Sequence, residues 1–186
     1  MKFKKVIKLL FLIFFIVILL NIKSIFKCFY PIKYENYIIT YSQRYDVDPH
    51  LVAAVIRAES DFKEDAVSPR GAYGLMQIMP ESAVWIAENM KLKDFNMENL
   101  NDPEINIAMG CWYLNNLNNE FEGNLDLVLA AYNGGRGNVQ KWLKDVRYSK
   151  DGKTIDNIPF EETDKYVKKV KTNYNIYLKI YNDKLK

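Results

Sequence analysis

One glutamate occupies a helix face that is otherwise apolar. In the segment PHLVAAVIRAE, the positions at helical spacing are Val52, Val55, Ile56 and Glu59. This stripe turns the Glu59 carboxyl toward the core, at the C-terminal end of the predicted helix. Burial and the helix dipole both disfavour the charged form there, so the pKa of Glu59 should rise. A carboxyl group that keeps its proton near neutral pH can serve as a general acid.

Polar side chains interrupt two other apolar stretches. Gln77 lies in GLMQIMP, after a turn that contains a proline and two glycines, and Tyr132 and Asn133 precede a double glycine. The glycines allow the chain to change direction and to approach a ligand closely. An amide among apolar neighbours must find hydrogen-bond partners, and a ligand amide can be one of them. These residues are therefore candidates for ligand binding.

Each candidate also has a purely structural explanation. Glu59 can reach solvent at a frayed helix end or pair with a basic group, Gln77 can cap a backbone end, and Tyr132 can pack in the core. The glycines after Asn133 do not predict a phosphate-binding loop, because no strand precedes them and no lysine follows in the P-loop position. The residue pattern alone leaves both explanations open.

The elements that position these side chains are predicted to be helices. Start signals lie at Asp48-Pro49, Pro80, Asp102-Pro103 and Asn124 or Asp126, and further helices are expected over 34–45 and in VQKWLKDV. A last helix carries on one face Tyr166, Val170, Tyr174, Tyr177 and Tyr181. Strand-like alternation is nearly absent, with one weak candidate at 150–158. We therefore predict an all-α fold, a compact helical domain.

The N-terminus combines basic residues with a long apolar run. Residues 6–22 suffice to span a bilayer if Lys8 extends its ammonium group to the surface. We predict three segments before the folded domain: a basic n-region at 1–5, a transmembrane signal anchor at 6–22 and a juxtamembrane linker at 23–33. The basic end stays inside, so the domain lies on the extracellular side of the cell membrane. Secretion after signal cleavage is the alternative, although no A-x-A pattern precedes Tyr34.

Composition argues against several other classes of function. Six of the 26 basic residues precede residue 31 with no acid among them, so the rest of the chain carries 20 basic against 23 acidic residues. This mildly acidic remainder lacks the basic stripe that nucleic-acid binding requires. His50 is the only histidine and neither CxxC nor HExxH occurs, so we expect no metal site and no cofactor. Cys28 and Cys111 are poorly matched for a disulfide, and Cys111 should pack in the core.

Four motifs follow one another in an order that points to one family. They are ESDF at Glu59 to Phe62, SPRGAYGLMQIMP at Ser68 to Pro80, AYNGGRGN at Ala131 to Asn138, and IPFEETDKYVKKV at Ile158 to Val170. Together they resemble the catalytic domain of the soluble lytic transglycosylases, a goose-lysozyme-like helical fold with a peptidoglycan-binding cleft. The resemblance covers Tyr34 to Tyr181. We assign residues 34–182 to this domain and 183–186 to a tail.

The resemblance implies a peptidoglycan lytic transglycosylase that cleaves the β-1,4 bond between N-acetylmuramic acid and N-acetylglucosamine. Glu59 matches the family's catalytic acid. This residue protonates the leaving oxygen and then takes the proton of the muramyl C6 hydroxyl, so that a 1,6-anhydro ring forms without water. The groove positions that hold sugars or their N-acetyl groups are matched by Ser68, Met76, Gln77, Tyr132 and Asn133. Glu162 and Tyr166 match the fourth motif, which lines the same cleft. We expect a monomer whose partner is the glycan strand.

Two rival functions remain open on the same motifs. A hydrolytic muramidase would use a second carboxylate, but none of the nearby acids Asp61, Glu64 and Asp65 shares the helical face of Glu59. One acid assisted by the substrate's own N-acetyl group fits better. The other rival is a wall-binding module without catalysis. Binding alone does not require an acid on an apolar stripe, which argues against that second function.

Overall fold

The computed structural model describes residues 2–181 and 185. The chain divides into two compact units, Met1–Ile32 and Lys33–Lys186. Of the predicted tail at 183–186, only Leu185 lies within the described residues, and residue 182 at the predicted domain end lies outside them.

The first unit consists of two helices, α1 (Lys2–Leu20) and α2 (Ile22–Phe29). Neither helix alone is long and apolar enough to cross a membrane. The pair Phe3–Leu20 and Ile22–Phe29, bent by 61°, meets that requirement by length and composition when taken together. The predicted single span at 6–22 therefore stays a prediction. α2 occupies most of the segment that the sequence suggested as a linker.

The regular elements of the second unit are all helices among its described residues. Its elements are α3 (Glu35–Arg44), α4 (Pro49–Glu59), α5 (Pro80–Met90), a 3₁₀ helix (Met97–Asn101), α6 (Pro103–Glu120), α7 (Leu125–Gly134), α8 (Arg136–Leu143) and α9 (Glu161–Ile180). The predicted all-α fold is confirmed for the described part of the chain. α8 begins before the predicted start at Val139, because Gly135, with a φ of +88°, makes a one-residue break after α7.

Side-chain caps explain where three of these helices begin. Asp48 accepts a hydrogen bond from the His50 N–H, and Asp102 accepts from two N–H groups of the first turn of α6. A proline follows each aspartate, and its fixed φ suits the first helical position. Asn124, rather than Asp126, caps α7 in the same way. These caps satisfy N–H groups that have no partner within the helix.

Helix α4 packs chiefly against α9, and this contact sets the direction of the α4 stripe. Val52, Val55 and Ile56 are fully buried, as are Val170 and Tyr177 on α9. Helix α9 also packs on α7, and α6 contacts α3, α5 and α7. The ends of α4 and α7 are thereby brought together near the start of α9.

The weak strand candidate at 150–158 is wrong: no strand occurs among the described residues, and this segment consists of bends and irregular chain. The Asp151 carboxylate accepts hydrogen bonds from the N–H groups of Lys153 and Thr154. Asp156 accepts from the N–H of Lys150. Because aspartate side chains take the backbone donors locally, the segment has no need of a neighbouring strand.

The loop between α4 and α5, residues 60–79, is fastened to α6 by one amide. Asn106 is fully buried, and its Oδ1 accepts from the Met76 N–H at 2.8 Å. Its Nδ2 donates to the carbonyls of Tyr73 and Leu100 at 3.0 and 2.9 Å. Gly74 allows this close approach, because its φ is +75° and an added Cβ would overlap the Asn106 amide. The loop is therefore held in one conformation by the core.

Candidate active site

A cavity of about 320 Å³ opens where four parts of the second unit meet. They are the end of α4, the loop at 60–79, the end of α7 and the start of α9. Its lining residues are Glu59, Ser68, Pro69, Arg70, Ala72, Gln77, Met79, Tyr132, Asn133 and Glu162. Six of the eight residues singled out from the sequence thus share one cavity. The other two, Met76 and Tyr166, are buried and do not line it.

Glu59 is the last residue of α4 and is half-buried at the cavity wall. Burial raises the pKa of Glu59 from its ordinary value of 4.5 to about 7. The Tyr166 hydroxyl and the Lys169 ammonium oppose this rise in pKa, and the Glu162 carboxylate adds to it. Near neutral pH the Glu59 side chain is therefore divided between acid and carboxylate. Such a group can both donate and accept a proton.

Two groups on α9 lie close to the Glu59 carboxyl. The Tyr166 hydroxyl is buried and has no hydrogen-bond partner at ordinary distance among the described residues. It is nevertheless near enough to favour the charged form of Glu59. The Lys169 ammonium donates to the main-chain carbonyl of Ala58 at 2.6 Å, one residue before Glu59. When Glu59 is ionised, its negative charge therefore lies near the Tyr166 hydroxyl and the Lys169 ammonium group.

Gln77 and Ser68 are oriented by the loop that carries them. The Gln77 Nε2 donates to the carbonyls of Ala66 and Gly74 at 3.0 and 2.9 Å, which leaves Oε1 to accept from a ligand. The backbone of Gln77 is left-handed, with a φ of +49°. The Ser68 Oγ accepts from the Ala72 N–H at 2.9 Å, so its own proton can be donated. The Gln77 amide thus caps two backbone carbonyls, and its role in binding a ligand stays a prediction.

Tyr132 and Asn133, near the end of α7, are fixed in a similar way. The Tyr132 hydroxyl donates to the carbonyl of Met76 at 2.8 Å and therefore presents oxygen lone pairs to the cavity. The Asn133 Oδ1 accepts from the Thr163 hydroxyl at 2.8 Å, which leaves its Nδ2 as a donor. Tyr132 is only half-buried, so it is not a plain core residue.

An ion pair joins two exposed residues of the cavity lining. The Arg70 Nη2 lies 2.9 Å from the Glu162 Oε2, and both side chains are mostly exposed. Arg70 belongs to the loop and Glu162 to α9, so the pair links two of the four parts of the site. Glu162 is also the second carboxylate of the lining, next to Glu59.

The structure does not place the Met76 side chain in the cavity. This side chain is fully buried and lies so close to Gly110 that a Cβ at that position would overlap its sulfur. The main chain of Met76 accounts for this position of its side chain. Its N–H donates to Asn106 and its carbonyl oxygen accepts from the Tyr132 hydroxyl. Met76 therefore contributes to the site through its main chain.

Sequence reasoning missed four residues that shape the site: Arg70, Asn106, Thr163 and Lys169. Asn106 carried a usable signal, because it is a polar residue inside the apolar run INIAMG, as Gln77 is in its own stretch. The other three carried none, since their partners lie far away in the sequence. Within residues 2–181 and 185, no three His, Cys, Asp or Glu side chains are grouped to hold a metal ion.

Known proteins resemble this chain in both sequence and structure. The soluble lytic murein transglycosylase of Salmonella typhimurium is 35% identical over 143 residues, which cover 76% of this chain and 22% of that protein. The membrane-bound lytic murein transglycosylase C of Edwardsiella ictaluri is 38% identical over 117 residues, which cover 58% of this chain and 32% of that protein. The structure of the 70 kDa soluble lytic transglycosylase from Escherichia coli matches with a TM-score of 0.74 and 31% identity, over 84% of this chain and 26% of that one.

The chain thus spans roughly a quarter of the length of these relatives. A family model described as the transglycosylase SLT domain matches residues 36–155, which is more than half of the chain. The match includes the ends of α4 and α7 and the loop at 60–79, and so covers five of the predicted site residues that line the cavity. This chain belongs to the transglycosylase SLT domain family.

Proposed function

We propose that this chain is a peptidoglycan lytic transglycosylase that cleaves the β-1,4 bond between N-acetylmuramic acid and N-acetylglucosamine and leaves 1,6-anhydromuramic ends. One observation carries the proposal. Glu59, with a pKa of about 7, lines a cavity together with hydroxyl and amide groups that can hold an N-acetylated sugar. The names of the relatives, which are lytic murein transglycosylases, support the same reaction.

Glu59 acts twice in this reaction. As an acid it gives its proton to the bridging oxygen, and the bond between that oxygen and the anomeric carbon breaks. As a carboxylate it then accepts the proton of the muramyl C6 hydroxyl, whose oxygen bonds to the anomeric carbon. Glu59 ends protonated, as it began, and no water is consumed. A pKa near the working pH suits a group that must serve in both directions.

The other lining groups hold the sugar and stabilise charge. The Gln77 Oε1 accepts from the N–H of an N-acetyl group, while Asn133 and Ser68 donate to carbonyl or hydroxyl oxygens. Tyr132 directs its phenolic oxygen toward the positive charge that develops at the anomeric carbon. The carbonyl of Met76 fixes Tyr132 in that orientation.

The two α9 residues have different roles in this proposal. Tyr166 donates its unpaired hydroxyl to the Glu59 carboxylate when the proton has left, which stabilises the charged form. Glu162 binds sugar hydroxyls at the entrance, next to Arg70. A hydrolytic muramidase is the second candidate, and it is favoured by one observation, the presence of Glu162 in the same cavity lining. The 2.9 Å ion pair to Arg70 argues against Glu162 as a nucleophile or base.

Analysis of reaction products tests the proposal directly. Purified peptidoglycan is digested with the full chain in water enriched in ¹⁸O, and the fragments are examined by mass spectrometry. Anhydro ends without ¹⁸O are expected, because the C6 oxygen replaces water. Reducing ends that contain ¹⁸O would instead assign the chain to the hydrolytic muramidases. Glu59→Gln should reduce the rate by at least ~100-fold while it still binds the glycan, which separates catalysis from a wall-binding role.

We further propose that residues 6–22 anchor the chain in the cell membrane with the domain at 34–182 on the cell-wall side, acting as a monomer. The composition of helix α2 supports a location of this helix at the membrane surface. Ile25, Phe26 and Phe29 are exposed on its apolar side, and Lys23 is basic. Protease added to intact cells should degrade the domain but spare the N-terminal segment. Release of the whole chain into the medium would contradict the anchor.

A further inference from the structure

Arg70 lies at the tip of a tight turn in the lining of the Glu59 cavity. The turn is closed by the Gly71 N–H, which donates to the Ser68 carbonyl at 2.9 Å. Pro69 restricts the backbone directly before Arg70, and Gly71 follows with a left-handed φ of +80°. The backbone of Arg70 is therefore held in place, while its side chain is 77% exposed. The turn thus presents a guanidinium group at the entrance of the cavity.

The charges around this entrance give Arg70 a particular importance. Within the described part of the chain it is the one basic residue of the cavity lining, which also contains the carboxyl groups of Glu59 and Glu162. The chain after residue 30 has 20 basic and 23 acidic residues, so its net charge is negative as well. Such a surface repels a ligand that carries carboxylates unless a cation lies close to them. Arg70 supplies that cation.

The ion pair with Glu162 orients the Arg70 side chain without occupying all of its donors. The Arg70 Nη2 donates to the Glu162 Oε2 at 2.9 Å, and this contact keeps the guanidinium group between the loop and α9. A guanidinium group has five N–H donors in one plane, and two of them can bind both oxygens of a carboxylate. Arg70 can therefore hold a ligand carboxylate while it stays paired with Glu162.

The proposed substrate has an anionic group where Arg70 can reach it. In N-acetylmuramic acid the N-acetyl group is attached to C2 and a lactyl ether to the neighbouring ring carbon, C3. The lactyl group ends in a carboxylate or continues into a stem peptide, which has carboxylates of its own. Under the proposed function Gln77 binds the N-acetyl group, and Ser68 donates to a carbonyl or hydroxyl oxygen of the sugar. Arg70 follows Ser68 by two residues, within about 7 Å along the chain, so it lies near the C3 substituent.

We propose that Arg70 is a specificity-determining residue that binds a carboxylate on the C3 substituent of the muramyl sugar; the inference rests on the proposed function. N-acetylglucosamine has only a hydroxyl group at C3 and offers no such partner. The Arg70 contact therefore favours strands that contain muramic acid over neutral glycans of the same length. The free lactyl group and the stem peptide present the same chemistry, a carboxylate, and the experiment below distinguishes them.

The test uses the full chain in detergent with Glu59→Gln, so that ligands bind without being cleaved. Calorimetry compares three tetrasaccharides: a muramyl tetrasaccharide with its stem peptides, the same sugar after an amidase has removed the peptides, and the N-acetylglucosamine tetramer. Adding Arg70→Met should lower affinity for a muramyl ligand about fivefold, the upper range for a partly exposed ion pair, and leave the neutral tetramer unchanged. Arg70→Lys keeps the charge but not the planar fork, and should retain part of the affinity.

The pattern of losses identifies the carboxylate. A loss that requires the peptides assigns it to the stem peptide, and a loss that persists after their removal assigns it to the lactyl group. An equal loss for the neutral tetramer overturns the proposal, because Arg70 would then bind the sugar itself. Unchanged affinity for all three ligands overturns it as well.

Arg147→Met is the matched control. The Arg147 guanidinium is exposed to a similar degree and is also paired with a carboxylate, that of Asp145, but it does not line the Glu59 cavity. This substitution removes the same charge and should leave all three affinities unchanged. A loss for the muramyl ligands as large as that of Arg70→Met would show that net charge alone is responsible, which also overturns the proposal.

Failure of the proposed function would look different from failure of the Arg70 contact. Wild-type chain that yields no anhydro ends, while Arg70→Met still lowers muramyl affinity in the Glu59→Gln background, contradicts the reaction and leaves the contact standing. Normal anhydro products with no effect of Arg70→Met on binding contradict the contact alone. Thermal unfolding of each variant checks that the fold has been kept.

Discussion

The ammonium group of Lys169 lies 2.6 Å from the carbonyl oxygen of Ala58, so that a cation on α9 closes the C-terminal end of α4 directly before Glu59. Carbonyl groups at a helix end lack partners within the helix and carry partial negative charge. Lys169 therefore stabilises this end of α4 and also lowers the pKa of Glu59. The two effects lead to a testable consequence for the pH dependence of the reaction.

Lys169→Met should move the alkaline limb of the pH–rate profile to higher pH. The positive charge favours the ionised form of Glu59, so its removal raises the pKa of Glu59 further above its ordinary value. Because the first step requires the protonated acid, activity persists to higher pH. Initial rates on purified peptidoglycan as a function of pH measure the shift. Lys165→Met is the control, since Lys165 is paired with Glu161 on the exposed side of α9, and an equal shift there would contradict the role of Lys169.

Glu59 should make the folded domain less stable as pH rises. The pKa of Glu59 is about 7 in the folded protein and 4.5 ordinarily. Its contribution to the free energy of unfolding is therefore fully present below pH 4.5 and is lost as the pH rises through about 7. The shift corresponds to about 3 kcal/mol of unfolding free energy. Glu59→Gln should remove this part of the pH dependence and be the more stable protein at pH above 7. Urea unfolding of both chains at several pH values provides the measurement. Parallel pH curves for the two proteins would show that Glu59 titrates normally.

Glu162→Gln should leave the chemistry of the products unchanged. Glu162 is paired with Arg70 and is mostly exposed, so its loss weakens binding at the entrance without removing a proton donor. We expect anhydro products at a reduced rate, mainly through a higher KM. Mass spectrometry of the digest and the separate kcat and KM values measure this. A fall in kcat as large as that of Glu59→Gln would make Glu162 a second catalytic carboxylate.

Gly74→Ala should unfold the domain far more readily than Gly123→Ala. Both glycines have a φ near +75°, so both substitutions cost about 1 kcal/mol of backbone strain. Only at Gly74 does an added Cβ overlap other atoms, those of Asn106 and the Leu100 carbonyl, whereas nothing lies within 4 Å at Gly123. We expect a further loss of a few kcal/mol at Gly74, together with loss of activity. Urea midpoints compare the two variants, and equal midpoints would mean that the loop adjusts freely.

Local signals in the sequence were enough to predict the α-helices of the second unit and to place Glu59 at the end of one of them. Asp48-Pro49 and Asp102-Pro103 are complete start signals within two residues, and the Glu59 stripe is contained in a single helix. The residue alternation at 150–158 does not lead to a strand, because the aspartates of this segment compete for its backbone N–H groups at short range. That competition depends on side-chain geometry, which alternation of residue types does not reveal.

Contacts between distant parts of the chain could not be predicted. Lys169 and Ala58 are 111 positions apart, and no pattern in either segment indicates the other. Arg70 and Glu162 are separated by 92 positions. Met76 is a case in which local sequence predicts a position that packing changes. Its motif suggested a side chain in the groove, but this side chain packs in the core, in the space beside Gly110 on α6. Only the packing of the helices decides such outcomes.

Gln77 and Asn133 each have one half of the amide held by the protein and the other half directed to the cavity. Hydrogen bonds within the protein therefore set their side-chain torsions in advance, and under the proposed function the binding of a sugar orders little more. Affinity at this site is therefore spared most of the entropic loss that accompanies the ordering of polar side chains. Such a rigid template favours a stiff polymer whose repeating units always present the same groups.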